Sequence, residues 1–404
     1  MRFVLIILLL AGAASPARAE GNPKKPERAD FSTLVDRLRD HPEVLAYVEK
    51  AESQRLYGDG ERGLPDPMVM LGAQDYAIGR TMSRNQQQKM IGFRQEIPRL
   101  SVREAKVARG HAESQKTRLM ADYAFAAMKA RLITALADRR RIKELEKIYK
   151  QQETLLVAER RSLVGRLGAD RAGVDDVALQ QADRAEVALA VSDLEEQDHE
   201  VEAMLVNMLG ESTDAAPPEI KPAAWDGDVG DTYPVKISGQ DVTMARQEIK
   251  QREGEFGPNL LLQGNYARMY GGDNAASISV GVSVPLWASD SQEPRLRGAK
   301  AGLRSAVSDA GNAERQTKER LSLLEAQIET SEKKLKLLKS KQDSLDQAAV
   351  AALREYEAGE ADLPSVLKAK RDALGVRAVV ASERAKRTSL IADFNRYFIE
   401  ETKL

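Results

Sequence analysis

Between residues 68 and 90 stand four methionines, Met68, Met70, Met82 and Met90, whose thioethers are soft ligands suited to Cu(I). Met68 and Met70 share one face of an extended segment, but Met82 falls in a polar loop, and the chain contains no cysteine. Packing or lipid contact accounts for these side chains better than a metal site. The three histidines, His41, His111 and His199, are spread over different helical stretches and form no ligand cluster. Catalysis would need a converging nucleophile, base and acid, or a glycine loop cradling phosphate before a helix, and neither pattern occurs. The sequence predicts no enzyme, no cofactor and no metal centre. Its chemistry lies in surfaces.

The clearest of these is residues 278–287, reading Ile-Ser-Val-Gly-Val-Ser-Val-Pro-Leu-Trp. Ile278, Val280, Val282, Val284 and Leu286 share one parity, while Ser279, Gly281 and Ser283 share the other. That is the period of two with which a strand separates two environments. A second such stretch precedes Pro98, where Ile91, Phe93 and Ile97 alternate with Gly92, Arg94 and Glu96. Each has a partner, 67–76 in the first half and 258–266 in the second, and Pro98 and Pro285 are 187 residues apart. The small and polar set, Arg94, Glu96, Ser279, Gly281 and Ser283, is expected to face an aqueous lumen. Tyr76, Tyr266 and Trp287 are expected in interfacial aromatic girdles.

Long helices must carry these strands. Residues 30–56 have helical spacing, with Asp30 as cap. From 99 to 166 there is no proline, and Ile142, Leu145, Tyr149, Leu156 and Leu163 follow the seam of a coiled coil, a rod of about 100 Å. The return helix, 174–209, is half as long, so two such helices are expected end to end against the rod. In the second half Leu321, Leu324, Ile328, Leu335, Leu338, Leu345 and Ala349 keep one heptad frame, with Ser331 and Gln342 as polar exceptions. The chain divides into a leader (1–19), a first repeat (20–209, strand pair 67–98), a proline-rich linker (210–236) and a second repeat (237–404, strand pair 258–287). The fold class is mainly α with four β-strands.

Charged residues make up 30% and aromatic residues 5% of the chain, the composition of long solvated helices rather than of one globular core. Without the leader's Arg2 and Arg18, 59 Lys plus Arg stand against 62 Asp plus Glu. That balance argues against nucleic acid as partner. The apolar run 3–14 is too short to span a bilayer as a helix, and Ala17-Arg18-Ala19 reads as a cleavage site, so export without lipidation is expected. Four strands cannot close a barrel in lipid, where every backbone group needs a partner. Three copies would supply twelve strands, within the range of outer-membrane barrels. The alternative is a periplasmic coiled-coil scaffold carrying two hairpins and conducting nothing.

Four stretches together resemble the TolC-like outer-membrane efflux family: Pro65-Asp66-Pro67, Gln95-Glu96-Ile97-Pro98, Val282-Ser283-Val284-Pro285-Leu286, and Tyr356-Glu357-Ala358-Gly359 followed by Leu363, Val366, Leu367 and Ala369. The resemblance spans essentially the whole mature length. It implies a homotrimeric channel in outer-membrane lipid, a 12-stranded β-barrel continuous with a periplasmic α-barrel. Such a conduit docks on an adaptor and an inner-membrane pump of RND or ABC type, for efflux or type I secretion. Residues 89–98 are most similar to the heavy-metal cation efflux branch, although Ser101-Val102 stands where that branch commonly has glycine-lysine. Where the best-known members place two acidic residues around the Val-Leu pair, this chain has Ser365 and Lys368. With Asp176 beside Val177 in the first half, the resemblance implies a mixed constriction of Asp176, Ser365 and Lys368. It also implies adaptor docking at two helix tips, Arg166-Leu167-Gly168 and Glu357-Ala358-Gly359.

Overall fold

The computed structural model describes residues 30–74, 87–167, 174–270 and 272–399, apart from the side chains of 166–167 and 174–176. The leader, Tyr76, Met82 and Gly168 lie outside the described residues. In chain order the elements are α1 (Phe31–Arg39), α2 (Pro42–Gly60), β1 (Met68–Gln74), β2 (Gln88–Ile97), α3 (Leu100–Leu167), α4 (Val174–Leu209), α5 (Tyr233–Gly254), β3 (Asn259–Met269), β4 (Asn274–Ser283), α6 (Gln292–Glu357) and α7 (Leu363–Asn395). The protein is mainly helical, with one four-stranded antiparallel sheet in the order β1-β2-β3-β4.

At 68 residues α3 is a rod of about 100 Å. It is covered along one side by α2 and then α4, and along the other by α5 and then α7, with α6 packed on α5 and α7. The helices therefore form a layer ordered α2-α3-α5-α6 near the sheet and α4-α3-α7-α6 away from it. Its seams are those the heptads predict: Ile142, Leu145, Leu156 and Leu163 are buried on α3, and Leu321, Leu324, Ile328 and Ala349 on α6. Ser331 is buried in the α6 seam because its Oγ donates to Glu383 on α7 at 2.7 Å. Midway along the rods, Leu34 and Leu38 of α1 join Leu132, Leu136, Leu194 and Leu205 in one cluster. Residues from the 210–232 connection join a second, with Leu321, Leu324, Ile391 and Phe394 at its centre.

Several boundaries differ from the sequence reading, each for a local reason. The first helical stretch is two helices, because His41 caps α2 through Nδ1 to the Glu43 amide and Pro42 occupies its first turn. Asp30 stands at the α1 N-cap position, yet its carboxylate accepts from the Ser32 hydroxyl and not from a helix amide. The helix after the linker starts at Tyr233, inside the stretch assigned to linker, since Pro234 suits a first turn that needs no N–H. The fourth strand begins earlier, at Asn274, and ends at Ser283. Pro285 has no donor to continue the ladder, and Val284 to Trp287 turn out of the sheet, with the Leu286 amide on the Val284 carbonyl.

Near the sheet, α2 and α3 meet backbone to backbone. A Cβ on Gly110 would stand 2.6 Å from the Gly58 Cα, and the His111 ring on α3 meets Asp59 on α2 at 2.9 Å. No side chain can be absorbed there by rotation. Gly110→Val is expected to destabilise the protein by about 1–3 kcal/mol, read as a lowered thermal unfolding midpoint, whereas Gly165→Val, where a Cβ meets open space, should cost far less.

Candidate conduit face and helix-end constriction

The register fixes which side chains share a face of the sheet. Ile91 pairs with Tyr266, Phe93 with Gly264 and Gln95 with Leu262, and across the next ladder Gly264 pairs with Ile278, Leu262 with Val280 and Leu260 with Val282. With Val69 opposite Phe93 and Leu71 opposite Ile91, these residues make one broad apolar face. It is open: Ile278 is 84% exposed, Leu71 79% and Val280 69%. Such an area on a water-facing surface would be a liability.

The opposite face is polar. Arg94, Gln263 and Ser279 form one row, Glu96, Leu261 and Gly281 the next, and Asn259 with Ser283 the one beyond. All five residues expected to face a lumen thus lie on this one side. The Asn259 amide reaches the Glu96 carboxylate at 3.5 Å, and Asn265 reaches Ser277 at the same distance. The Asn265 side chain lies across Gly92, so a Cβ there would require its amide to rotate away. Asn265 and Gln263 were not singled out from sequence. The alternation of β3, with Leu261 among its polar positions, is too weak to show them.

Met68, Met70 and Met90 also lie on the polar face, so lipid contact does not describe their surroundings. Met90 instead packs over Gly72. Among the described residues no group of three or more His, Asp or Glu side chains could hold a metal ion. His111 is paired with Asp59, and that hydrogen bond holds the Asp59 carboxyl below its usual range. His199 is an exposed residue of α4. Tyr266 sits within the apolar face, while Trp287, 71% exposed, stands just past the end of β4. No helix among the described residues is long and apolar enough to cross a membrane.

At the far end of the rods the tip residues separate by role. Glu357 ends α6, Ala358 keeps helical dihedrals and Gly359 takes φ +76°. The Glu360 amide returns to the Glu355 carbonyl at 2.8 Å and the Gly359 amide to Tyr356 at 3.0 Å, a Schellman closure that only glycine completes without strain. All three tip residues are exposed. Arg166 and Leu167 are the last residues of α3, and their side chains are outside the description.

Ser365 is committed to its own helix: its amide and hydroxyl both bond Asp362, the N-cap of α7. Lys368 is exposed at a groove of ≈ 750 Å³ that also holds Asp183, Glu186, Lys341, Arg371 and Asp372. Val366 and Leu367 beside it are buried. Asp176 belongs to α4, and its side chain is outside the description. The carboxylate of α4 that does meet α7 is Asp183, 2.6 Å from Arg371, whose guanidinium also lies 3.4 Å from Glu159 of α3. Arg371 ties α7 to α3 and α4 of the first half. Its spacing, one turn beyond Lys368 on the same helix face, was the signal that could have found it.

The chain matches no protein-family model and no curated protein sequence. Its fold does match solved structures. The outer membrane protein VceC of Vibrio cholerae aligns with TM-score 0.74 at 15% identity, over 91% of this chain and 95% of that one. The open-state MtrE outer membrane channel of Neisseria gonorrhoeae gives 0.74 at 14%, over 91% and 88%. The CmeC outer membrane channel of Campylobacter jejuni gives 0.72 at 12%, over 98% and 95%. Matches including OprN at 17% and CusC at 10% identity favour no branch, and the heavy-metal lean gains nothing from them. This chain has the fold of the TolC-like outer membrane channel proteins.

Proposed function

We propose that the protein is a passive outer-membrane conduit, the outer component of a tripartite efflux or secretion system, and not an enzyme. The observation that carries this reading is the two-faced sheet. One side is an exposed apolar belt and the other a polar lane, and both edge strands, β1 and β4, lack an outer neighbour among the described residues. Lipid and water each get a face, and the open edges need further copies. Three copies close a twelve-stranded barrel, with the helical layers forming a tube beneath it in the periplasm.

In this reading solute moves by diffusion along Arg94, Glu96, Ser279, Gly281 and Ser283. The far end is narrowed by α4 and α7 around Asp176, Ser365 and Lys368. An adaptor grips the tips at 166–168 and 357–359, and an inner-membrane pump supplies the energy. A lean to heavy-metal cations over drugs rests on residues 89–98 alone.

The deciding experiment is single-channel conductance of the detergent-extracted protein in a planar bilayer, with its mass by light scattering. A particle of three chains giving discrete openings is expected. A water-soluble monomer giving no current would return the chain to the scaffold reading. At the tips, Gly359→Val forces a β-branched residue into positive φ, at a cost of roughly 1–2 kcal/mol. It is expected to abolish capture by the cognate adaptor while leaving conductance in place.

A further inference from the structure

The apolar face of the sheet is uncharged except at one end. The apolar row farthest from the helices holds Leu71, Ile91, Tyr266 and Ala276. One row further, toward the turns that join the strands, stand Ala73, Lys89, Arg268 and Asn274 on the same face. Among the described strand residues, Lys89 and Arg268 are the only charged side chains on that face. They are direct cross-strand partners.

Sheets normally avoid that pairing. Side chains directly opposite in an antiparallel ladder have Cβ atoms about 5 Å apart, and like charges there repel. The ladder nevertheless continues past them, since Gln88 pairs with Met269 and the Tyr270 amide reaches the Gln87 carbonyl at 2.9 Å. Among the described residues no ion pair neutralises either cation. Asp273 lies in the nearby turn, but its carbonyl accepts from the Met269 amide, which sets it level with a residue of the polar face. Both cations are exposed, and with Gln87, Met269 and Tyr270 they line a concavity of ≈ 260 Å³.

In the conduit reading this row is the outer rim of the lipid-facing belt. Tyr266, 48% exposed, lies one row below, and Tyr270, 63% exposed, lies beside it. Tyrosines favour the level where hydrocarbon meets headgroups. A cation at the middle of the belt would be costly, whereas at the rim it reaches those headgroups. An anion with several oxygens satisfies both cations together. A guanidinium offers phosphate two parallel N–H donors, and an ammonium adds a compact charge.

We propose that Lys89 and Arg268 form a seat for the phosphate of a phosphorylated lipid headgroup in the outer leaflet, with the acyl chains lying over Ile91, Tyr266 and Phe93. The occupant is a lipid and not a free anion because the seat continues directly into the apolar belt on the same face. This inference rests on the conduit reading and adds to it a ligand held on the outside of the barrel.

The test measures binding of lipid A, a phosphorylated glycolipid, and of the same lipid with its phosphates removed, to the full-length protein in detergent. The wild type is expected to bind lipid A and to ignore the dephosphorylated form. Lys89→Gln with Arg268→Gln is expected to weaken binding roughly thirtyfold, the usual strength of two basic residues at an anionic surface, while Lys89→Arg keeps it. Single-channel conductance of the glutamine variant should match the wild type, which shows that it folds, because neither side chain faces the polar lane. Should it not conduct, Lys89→Gln alone, expected to weaken binding about fivefold, carries the same test. Equal binding of the two lipids, or glutamine variants that bind like the wild type, overturns the seat. Inorganic phosphate that displaces lipid A from the wild type as readily as lipid A itself overturns the lipid assignment in favour of a free anion. A wild type that is water-soluble and silent in bilayers overturns the conduit reading as well. A conducting wild type indifferent to lipid A sinks the seat alone.

Discussion

Replacing Ile278 by arginine is expected to abolish insertion into the outer membrane, while the same replacement one residue on, at Ser279, leaves insertion intact. The two positions are neighbours on β4, and their side chains leave opposite faces of the sheet. Ile278 is 84% exposed on the apolar face, level with Gly264 and Phe93. A guanidinium on the lipid face of a barrel costs about 2–4 kcal/mol at the midplane. Threefold repetition raises that to roughly 6–12 kcal/mol per closed barrel. Ser279 belongs to the row of Gln263 and Arg94, so arginine there adds a second positive charge beside the first in the polar lane. Conductance should fall and anion preference rise. The measurements are recovery of each variant in washed outer-membrane fractions and reversal potentials in a salt gradient. Normal insertion of Ile278→Arg would remove the lipid-facing assignment, and failure of Ser279→Arg to insert would remove the lumen assignment.

This contrast was readable in the sequence because strand periodicity leaves no freedom: in a two-residue repeat, the identity of one position fixes the face of all the others. The rod seams were readable for the same reason, since Ile142 and Leu145, and Leu321, Leu324 and Ile328, repeat every three or four residues and are buried as that spacing requires. What escaped was decided between distant segments. The meeting of α2 and α3 depends on Gly58 and Gly110, 52 residues apart, facing each other. Asp183, Glu159 and Arg371 come from three helices, and each looks in sequence like an ordinary charge on a solvated helix.

The second large effect is expected at Arg371. Its guanidinium is 2.6 Å from Asp183 and 3.4 Å from Glu159, and the Glu159 side chain is only 15% exposed. Arg371→Ala leaves that carboxylate with little water and no counter-ion. Removing one partner of a fully buried pair costs about 3–5 kcal/mol. Arg371 is 26% and Asp183 37% exposed, so screening reduces the expected loss to about 1–3 kcal/mol. The position of the break matters more than its size. Without Arg371, α7 loses its ion pairs to Glu159 of α3 and Asp183 of α4, while it stays packed along α3 and joined to α6 through Arg377–Asp346, Ser331–Glu383 and Arg387–Glu332. The near end of α7 is then held against the first half by packing alone. If this end forms the constriction, Arg371→Ala should raise open probability severalfold with no adaptor present. Combining Arg371→Met with Glu159→Gln and Asp183→Asn removes the stranded charge, so stability should return while the channel stays open. Unfolding midpoints and single-channel records on the same preparations separate the two effects. An Arg371→Ala protein that melts earlier but opens no more often would reduce Arg371 to a packing residue and move the constriction elsewhere.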